Sequence, residues 1–156
     1  MDIPKTLRSQ WISQTQLLLE SYRRLFGVEL LVRSGHAEDE AQRLWEAPFV
    51  ALSHGTQADP ILNYANRKTF ELWETTPEKL IAMPSRLTAE PMEQEKRQRH
   101  LEQTRLHGFI TGYEGVRISA TGRRFLIQNA TIWNLTNGNG QPAGQAAKFD
   151  TWSLLP

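Results

Sequence analysis

The stretch from Tyr113 to Leu135 constrains the fold more than any other part of the chain. In its first half, apolar and polar residues alternate: Val116, Arg117, Ile118 and Ser119. After a short turn at residues 120–122, five residues fall on one side of a second run: Phe125, Ile127, Asn129, Thr131 and Trp133. Period-two alternation on both sides of a glycine-containing turn predicts a β-hairpin with one face toward a core. We expect the rest of the chain to fold against this hairpin.

Helices and shorter strands are predicted on either side of the hairpin. A helix from Lys5 to Phe26, ending at Gly27, is indicated by apolar residues at helical spacing: Leu7, Trp11, Leu18, Tyr22 and Leu25. Further helices are expected over residues 37–45, 67–73 and 91–107, and strands over residues 49–53, 61–64 and 144–152. Residues 28–33 are apolar and fit a short strand or a helix continuation. Asn66 is expected to cap the helix that follows it, and Asn-Gly-Asn-Gly at 137–140 predicts a second hairpin.

Composition excludes several classes of function. The 156 residues, 39% of them hydrophobic, suit one globular domain. A net charge of +1 gives no long-range field of the kind that attracts nucleic acid or anionic membrane, so neither partner is expected. Because cysteine is absent, disulfides, thiolate catalysis and cysteine-based metal sites are excluded. No signal peptide or membrane-spanning stretch is recognisable, which predicts a cytoplasmic protein.

Arginines cluster in two places despite this neutral balance. One group lies in the predicted long helix and the other in the hairpin: Arg97, Arg99 and Arg105, then Arg117, Arg123 and Arg124. A solvated helix face and a strand edge account for them, and a phosphate site is the alternative. Glutamates one turn earlier, Glu93 and Glu95, are expected to pair with Arg97 and Arg99.

The order of these elements resembles a known fold. Strand, strand, short helices, a connecting helix and a three-stranded meander look like the PAS fold. More specifically, SHGTQADPILNYANRKTFELWE, PSRLTAEP, GVRISATGRRFLIQNATIWNL and GQAAKFDTW resemble the MEKHLA domain, a PAS-related family. That family occurs at the C-terminus of plant class III homeodomain-leucine zipper proteins and as small free-standing bacterial proteins, and this chain looks like the latter. The resemblance implies a sensory or regulatory module, defines no cofactor, and does not extend to DNA binding.

No catalytic or metal-binding pattern is recognisable in the sequence. His100 and His107 share a helix face, as a haem ligand of a PAS domain would require, but their polar surroundings favour a solvated face. A flavin photosensor that forms a cysteine adduct is excluded. Asn129 is expected among apolar neighbours, where its amide needs partners in the protein or on a ligand.

We therefore expect an α+β protein with a PAS-like five-stranded antiparallel sheet and helices on one face. Residues 1–30 would form an N-terminal helical extension and residues 31–156 the PAS-like domain. A small apolar or aromatic ligand would lie between the sheet and residues 80–87, with Phe125, Ile127, Asn129, Thr131 and Trp133 as the wall. The alternative is a ligand-free homodimerisation or protein-binding module, whose contact would be formed by Leu7, Trp11, Leu18 and Tyr22. A third interpretation is an NTF2-like enzyme, which needs an acid or a histidine in a deep cavity, whereas the predicted inner faces contain neither.

Overall fold

A computed structural model describes the whole chain apart from the side chains of residues 91–93. Its α-helices are Arg8–Phe26 (α1), Ala37–Glu46 (α2), Arg67–Trp73 (α3), Pro77–Leu80 (α4) and Pro91–His107 (α5), with a 3-10 turn at Ser85–Thr88. Its strands are Val50–His54 (β1), Leu62–Ala65 (β2), Phe109–Ile118 (β3), Arg124–Thr136 (β4), Pro142–Phe149 (β5) and Thr151–Leu154 (β6). The predicted helices and strands outside residues 28–33 are confirmed, with bounds shifted by a few residues.

The strands form one antiparallel sheet in the order β2-β1-β5-β4-β3. The last predicted strand is interrupted at Asp150, so that β5 and β6 follow one another along the same edge of β4. The expected five-stranded sheet is therefore present, with its final strand in two pieces. Both predicted hairpins, β3–β4 and β4–β5, pair as expected.

Helices cover both faces of this sheet. We call the face beneath α3, α5 and the 3-10 turn the inner face, and the face beneath α1 the outer face. On the outer face, Trp11 and Leu18 of α1 are fully buried. The indole of Trp11 donates to the Asn63 carbonyl at 3.0 Å, and that of Trp133 donates to the Leu18 carbonyl at 3.4 Å. The apolar side of α1 is thus occupied by the protein's own sheet.

Asn66 organises the junction between β2 and α3, as predicted. Its side-chain oxygen accepts from the backbone N–H of Thr69 at the start of α3 and from the backbone N–H of Ala51 in β1. Its amide nitrogen donates to the carbonyls of Leu44 and Phe49. One buried amide therefore links backbone groups of α2, β1 and α3.

Residues 28–33 form neither the strand nor the helix continuation that was expected. Val28 and Val32 are 60% and 77% exposed, and only Leu30 and Leu31 of the apolar run pack against the core. The segment is fixed instead by Arg33, whose Nε donates to the buried carboxylate of Glu40 at 2.8 Å. That carboxylate also accepts from the backbone N–H groups of Ser34 and Gly35. A charge pair holds this loop.

At one level of the sheet, the alternation between inward-facing and outward-facing side chains shifts by one residue. We call this shift a change of phase. In β4, Ile127 and Ala130 both face inward, because Asn129 between them adopts a left-handed backbone with φ of 52°. In β3 a similar change accompanies Gly112, with φ of 66°, and in the β5–β6 strand it occurs at the break at Asp150. Because β3, β4 and the β5–β6 strand all shift at the same level, residues paired across neighbouring strands still face the same side of the sheet.

The face of β3 is inverted relative to the prediction. Tyr113, Gly115, Arg117 and Ser119 are buried, whereas Val116 and Ile118 are only half-buried. Arg117 lies opposite Phe125 of β4 and therefore shares its side of the sheet. The apolar alternation of β3 thus indicated the strand correctly but its inward side wrongly.

Candidate functional site

A small cavity lies between the inner face of the sheet and α5. Its free volume is about 60 Å³, and much of its wall is apolar, including Leu52, Ile127, Ile132 and Phe149. Polar side chains also reach it, from five different elements: His54, Ser85, Arg97, Tyr113, Arg117 and Gln145. Such an arrangement, apolar walls with a few convergent polar groups, is typical of ligand pockets, although this one is far below their usual size of roughly 300–1,000 Å³.

Arg97 enters the cavity from α5 and is only 6% exposed. Arg97, Leu101 and Thr104 are four and three positions apart, so they lie on the same side of α5, which faces the sheet. Its Nη2 donates to the Ser85 hydroxyl at 2.7 Å. Burial, and next the positive charge of Arg117, lower the pKa of Arg97 to about 10. The guanidinium is therefore charged at neutral pH but poorly solvated.

Arg117 reaches the same cavity from β3 and is 7% exposed. Its Nη2 donates to the Tyr113 hydroxyl at 2.9 Å, and its Nη1 donates to the Val116 carbonyl at 2.9 Å. Among the side chains that the structure describes, no carboxylate forms an ion pair with Arg117 or Arg97. The exposed arginines nearby do have such partners: Arg99 with Glu95, Arg123 with Glu74 and Arg124 with Glu90.

The expectation of solvated arginines is thus correct for Arg99 and Arg123 and wrong for Arg97 and Arg117. The Glu95–Arg99 pair is confirmed at 3.0 Å. The expected pair between Glu93 and Arg97 lies outside the described residues, because the Glu93 side chain is not among them.

Gly115 leaves room for this polar cluster. A Cβ added there would lie 2.7 Å from the Tyr113 hydroxyl oxygen and 2.8 Å from Nη1 of Arg117. Such distances are too short for a Cβ atom, which cannot hydrogen-bond to these groups, so a larger residue would displace one of the two. The position thus favours glycine for reasons of space.

A second polar group of the cavity consists of His54 and Gln145. Nδ1 of His54 lies 3.0 Å from the Gly55 carbonyl, which can only accept, so Nδ1 carries the proton. Burial, and secondarily the charge of Arg97, lower the pKa of His54. The neutral ring then presents Nε2 as an acceptor. Nε2 and the Gln145 Oε1 are both buried without a partner in the described structure.

Trp73 contributes an unpartnered donor to the same region. Its ring lines the cavity, and its Nε1–H is buried without an acceptor among the described residues. The ring packs edge-on against Phe125 at 4.9 Å between centroids. Buried donors normally find a partner, so each unpartnered group around this cavity invites an explanation.

The five residues expected to form the ligand wall are not brought together. Ile127 lines the cavity, and Phe125 lies behind Trp73 on the same face. Asn129 is exposed at the change of phase, and Thr131 is half-buried. Trp133 lies on the outer face, where its ring meets Tyr22 of α1. The assumption of unbroken alternation from Phe125 to Trp133 is wrong because the left-handed backbone at Asn129 turns the later residues over.

Sequence reasoning also missed the polar residues of the cavity. The expectation that the inner faces hold no histidine is wrong, because His54 at the end of β1 points there. The burial of Arg97 could have been recognised, since Arg97 shares a helix face with Leu101 and Thr104 on an otherwise charged helix. Of residues 80–87, expected to border the ligand, Ser85 is the one that lines the cavity.

An open groove adjoins the cavity at the end of the sheet. It has a volume of about 480 Å³ and runs between the β1–β2 loop, α5 and the β4–β5 hairpin. His54, Leu101 and Gln145 line both spaces and therefore form the wall between them. The Gln145 amide donates to the Leu101 carbonyl at 2.9 Å, which fastens this wall to α5.

The described residues contain neither a metal-binding cluster nor a helix that could span a membrane. No group of three or more His, Asp or Glu side chains there is placed to hold a metal ion. No helix among them combines the length and apolarity needed to cross a bilayer.

Comparison with known proteins adds a family and a fold. A family model described as the MEKHLA domain matches residues 12–154. The homeobox-leucine zipper protein ATHB-8 of Arabidopsis thaliana is 26% identical over 152 residues, which cover 94% of this chain and 17% of that protein. The match is thus confined to a small part of the curated relative's length.

Two solved structures show the same fold. The PAS domain of a protein from Colwellia psychrerythraea superposes with a TM-score of 0.64 at 15% identity, covering 76% of this chain and 95% of that chain. A light-oxygen-voltage domain studied with a flavin analogue superposes with a TM-score of 0.54 at 17% identity, covering 69% and 76%. The predicted PAS-like fold is therefore confirmed.

Proposed function

This chain belongs to the MEKHLA domain family, and on that premise we propose that it is a small cytoplasmic sensory module, without catalytic activity, whose inner cavity binds a small molecule. Residues 1–30 act as a helical extension that closes the outer face, and residues 31–156 form the sensing domain. The cavity occupies the space between sheet and connecting helix, and the site involves Ile127 together with the polar residues around it.

One observation carries the proposal. Three side chains that line one small space each have a buried polar atom without a partner in the described structure: Nε2 of His54, Nε1 of Trp73 and Oε1 of Gln145. A core that served packing alone would bury hydrocarbon there, because each unpartnered polar group costs roughly 1–3 kcal/mol. A bound molecule that supplied the missing partners would recover this free energy.

A ligand-free dimerisation or protein-interaction module remains the second candidate. The surface first expected for it is occupied, because Trp11 and Leu18 are buried on the sheet and Leu7 and Tyr22 pack beside them. A dimer of this fold would use another surface. The small free volume of the cavity is the observation that favours a ligand-free module.

Native mass spectrometry of protein purified without added ligand tests the proposal. We expect a bound mass that disappears on denaturation. Ala147 lines the cavity, so Ala147→Leu should reduce the bound fraction, whereas Ala37→Leu on the exposed start of α2 should not. Equal native and denatured masses, with a dimer observed, would favour the interaction module instead.

A further inference from the structure

The chemistry of the cavity wall specifies what kind of molecule fits it. The cavity wall has more hydrogen-bond donors than the acceptors of the protein use. These donors are two buried guanidinium groups, the Trp73 Nε1–H, and the hydroxyls of Ser85 and Tyr113. Because each hydroxyl accepts from an arginine, its own hydrogen is free to point at a ligand. Donors and positive charge together favour an anion.

The charge imbalance strengthens this conclusion. Arg97 and Arg117 are more than 90% buried, and the positive charge of Arg117 is close enough to disfavour the charged form of Arg97. Buried charges are normally paired, since desolvating an unpaired ion costs far more than a hydrogen bond returns. The hydrogen-bond partners described for these two arginines are hydroxyl and carbonyl oxygens, and the carboxylate of Asp59, which is paired with Arg86, acts on Arg97 without forming an ion pair with it.

The acceptors of the cavity indicate a second feature of the ligand. Nε2 of His54 and Oε1 of Gln145 lie in the wall beside the open groove and have no donor among the described residues. A neutral donor such as a hydroxyl fits them better than an ammonium group, because the charge of Arg97 already lowers the pKa of His54. Both features must belong to one small molecule, since the free volume is about 60 Å³.

We propose that the cavity binds a small hydroxycarboxylate, whose carboxylate lies between Arg97 and Arg117 and whose hydroxyl donates toward His54 and Gln145. This assignment rests on the proposed sensory function and specifies the ligand class of the same site. The planar guanidinium matches a carboxylate through two parallel hydrogen bonds, so the carboxylate provides both the charge and the geometry that the arginines lack.

Binding of defined probes, followed by the indole N–H signal of Trp73, tests this assignment. The signal is identified with Trp73→Phe and observed in ¹H–¹⁵N spectra at constant ionic strength. The probes are glycolate, lactate, propionate, sulfate and the neutral propionamide. We expect glycolate and lactate to shift the signal at lower concentration than propionate, and sulfate and propionamide to have little effect.

Matched variants connect the response to the two arginines. Arg97→Gln and Arg117→Gln should each weaken glycolate and lactate binding by about 10- to 100-fold, the usual loss for a charge-assisted hydrogen bond. Arg99→Gln and Arg123→Gln make the same substitution at exposed positions of the same segments and should leave binding unchanged. Circular dichroism of each variant establishes that it is folded.

The outcomes separate the assignment from the function on which it rests. If propionamide binds as well as the carboxylates, and the Gln variants retain binding, the cavity binds small molecules but the anionic assignment is wrong. If no probe shifts Trp73 while native mass spectrometry shows a bound mass, the assignment is wrong and the function stands. If no probe shifts the Trp73 signal and no bound mass is observed, both the ligand assignment and the proposed function are wrong.

Discussion

Nη2 of Arg117 donates a 2.9 Å hydrogen bond to the hydroxyl of Tyr113, and the guanidinium carbon lies 5.6 Å from the centre of the same tyrosine ring. The two residues are four positions apart on one strand and both face the inner cavity. Both side chains line that cavity, so their pairing holds the guanidinium at its wall. The tyrosine thus positions a charge that the surrounding protein does not neutralise.

Substitution of Gly115 should break this arrangement. A Cβ at this position would overlap the Tyr113 hydroxyl and Nη1 of Arg117, so Gly115→Ala should lower the free energy of unfolding by about 1–3 kcal/mol, as overpacking of a core does. Urea unfolding measures the change. Gly138→Ala is the matched control, because a Cβ there meets nothing within 4 Å. Equal losses in both variants would contradict the crowding argument.

Removal of the Arg97 charge should stabilise the empty protein. Arg97→Met replaces a buried guanidinium with an apolar chain of similar reach, and exchanging buried charges for hydrophobic residues often gains about 1–4 kcal/mol. Thermal or urea unfolding without added anion measures it. Arg99→Met, at an exposed position, should change stability by less than about 0.5 kcal/mol. Marked destabilisation by Arg97→Met alone would mean that Arg97 serves the fold.

Acid should weaken the junction between α1, α2 and the loop at Arg33. The hydrogen bond from Arg33 is the largest cause that lowers the pKa of Glu40 to about 2, well below its ordinary value. A depressed carboxyl pKa contributes stability that is present above the unfolded value and is lost as pH falls toward the folded value. Glu40→Gln should therefore cost about 2 kcal/mol at neutral pH and progressively less below pH 4.5.

Glu38→Gln is the comparison for this titration, because Glu38 is exposed on the same helix. Its stability should follow that of the unmodified protein at every pH. A loss in Glu40→Gln that stayed constant down to the acid limit would show that the carboxylate charge is not the cause.

Asn129 should tolerate glycine better than alanine. Its φ of 52° is left-handed, a region that costs most residues roughly 1–2 kcal/mol and that asparagine and glycine adopt readily. Asn129→Gly should be close to neutral, and Asn129→Ala should lose about 1 kcal/mol in urea unfolding. If the two variants were equally stable, backbone conformation would not be what selects asparagine.

Truncation of Trp11 should unfold the protein more easily without changing its mass in solution. The ring is fully buried between α1 and the sheet, close to Tyr64 at 5.0 Å between centroids, so Trp11→Ala should cost about 3–5 kcal/mol. Leu25→Ala on the exposed side of α1 should cost much less. If light scattering showed that Trp11→Ala changes a dimer to a monomer while stability is retained, the prediction would be wrong and Trp11 would lie in an intermolecular contact.

Local signals in the sequence predicted the fold well. Gly27 after α1, the Asn-Gly turn after β4 and the capping of α3 by Asn66 each involve neighbouring backbone groups, so a short window of sequence was enough to predict them. Blocks of resemblance then supplied the order of the strands. The prediction for residues 28–33 was wrong because their structure depends on a contact between Arg33 and Glu40, which lies outside that window.

The site was predictable only in part. Ile127 follows from alternation, but the later wall residues depend on the single left-handed residue Asn129. Arg117 was assigned to solvent because alternation assumes that apolar residues face inward, and β3 reverses that rule. Burial of Arg97 depends on how α5 lies across the sheet, which is determined by residues distant in the chain.

The shared change of phase at Gly112, Asn129 and Asp150 constrains how this fold can vary. Deleting one residue to straighten any single strand would turn the rest of that strand over while its neighbours stayed in place, exchanging core and surface along an entire edge. Each intermediate on the way to a regular sheet would thus be less stable than either end. A regular sheet at this level would therefore require coordinated changes in several strands, which a single point substitution does not provide.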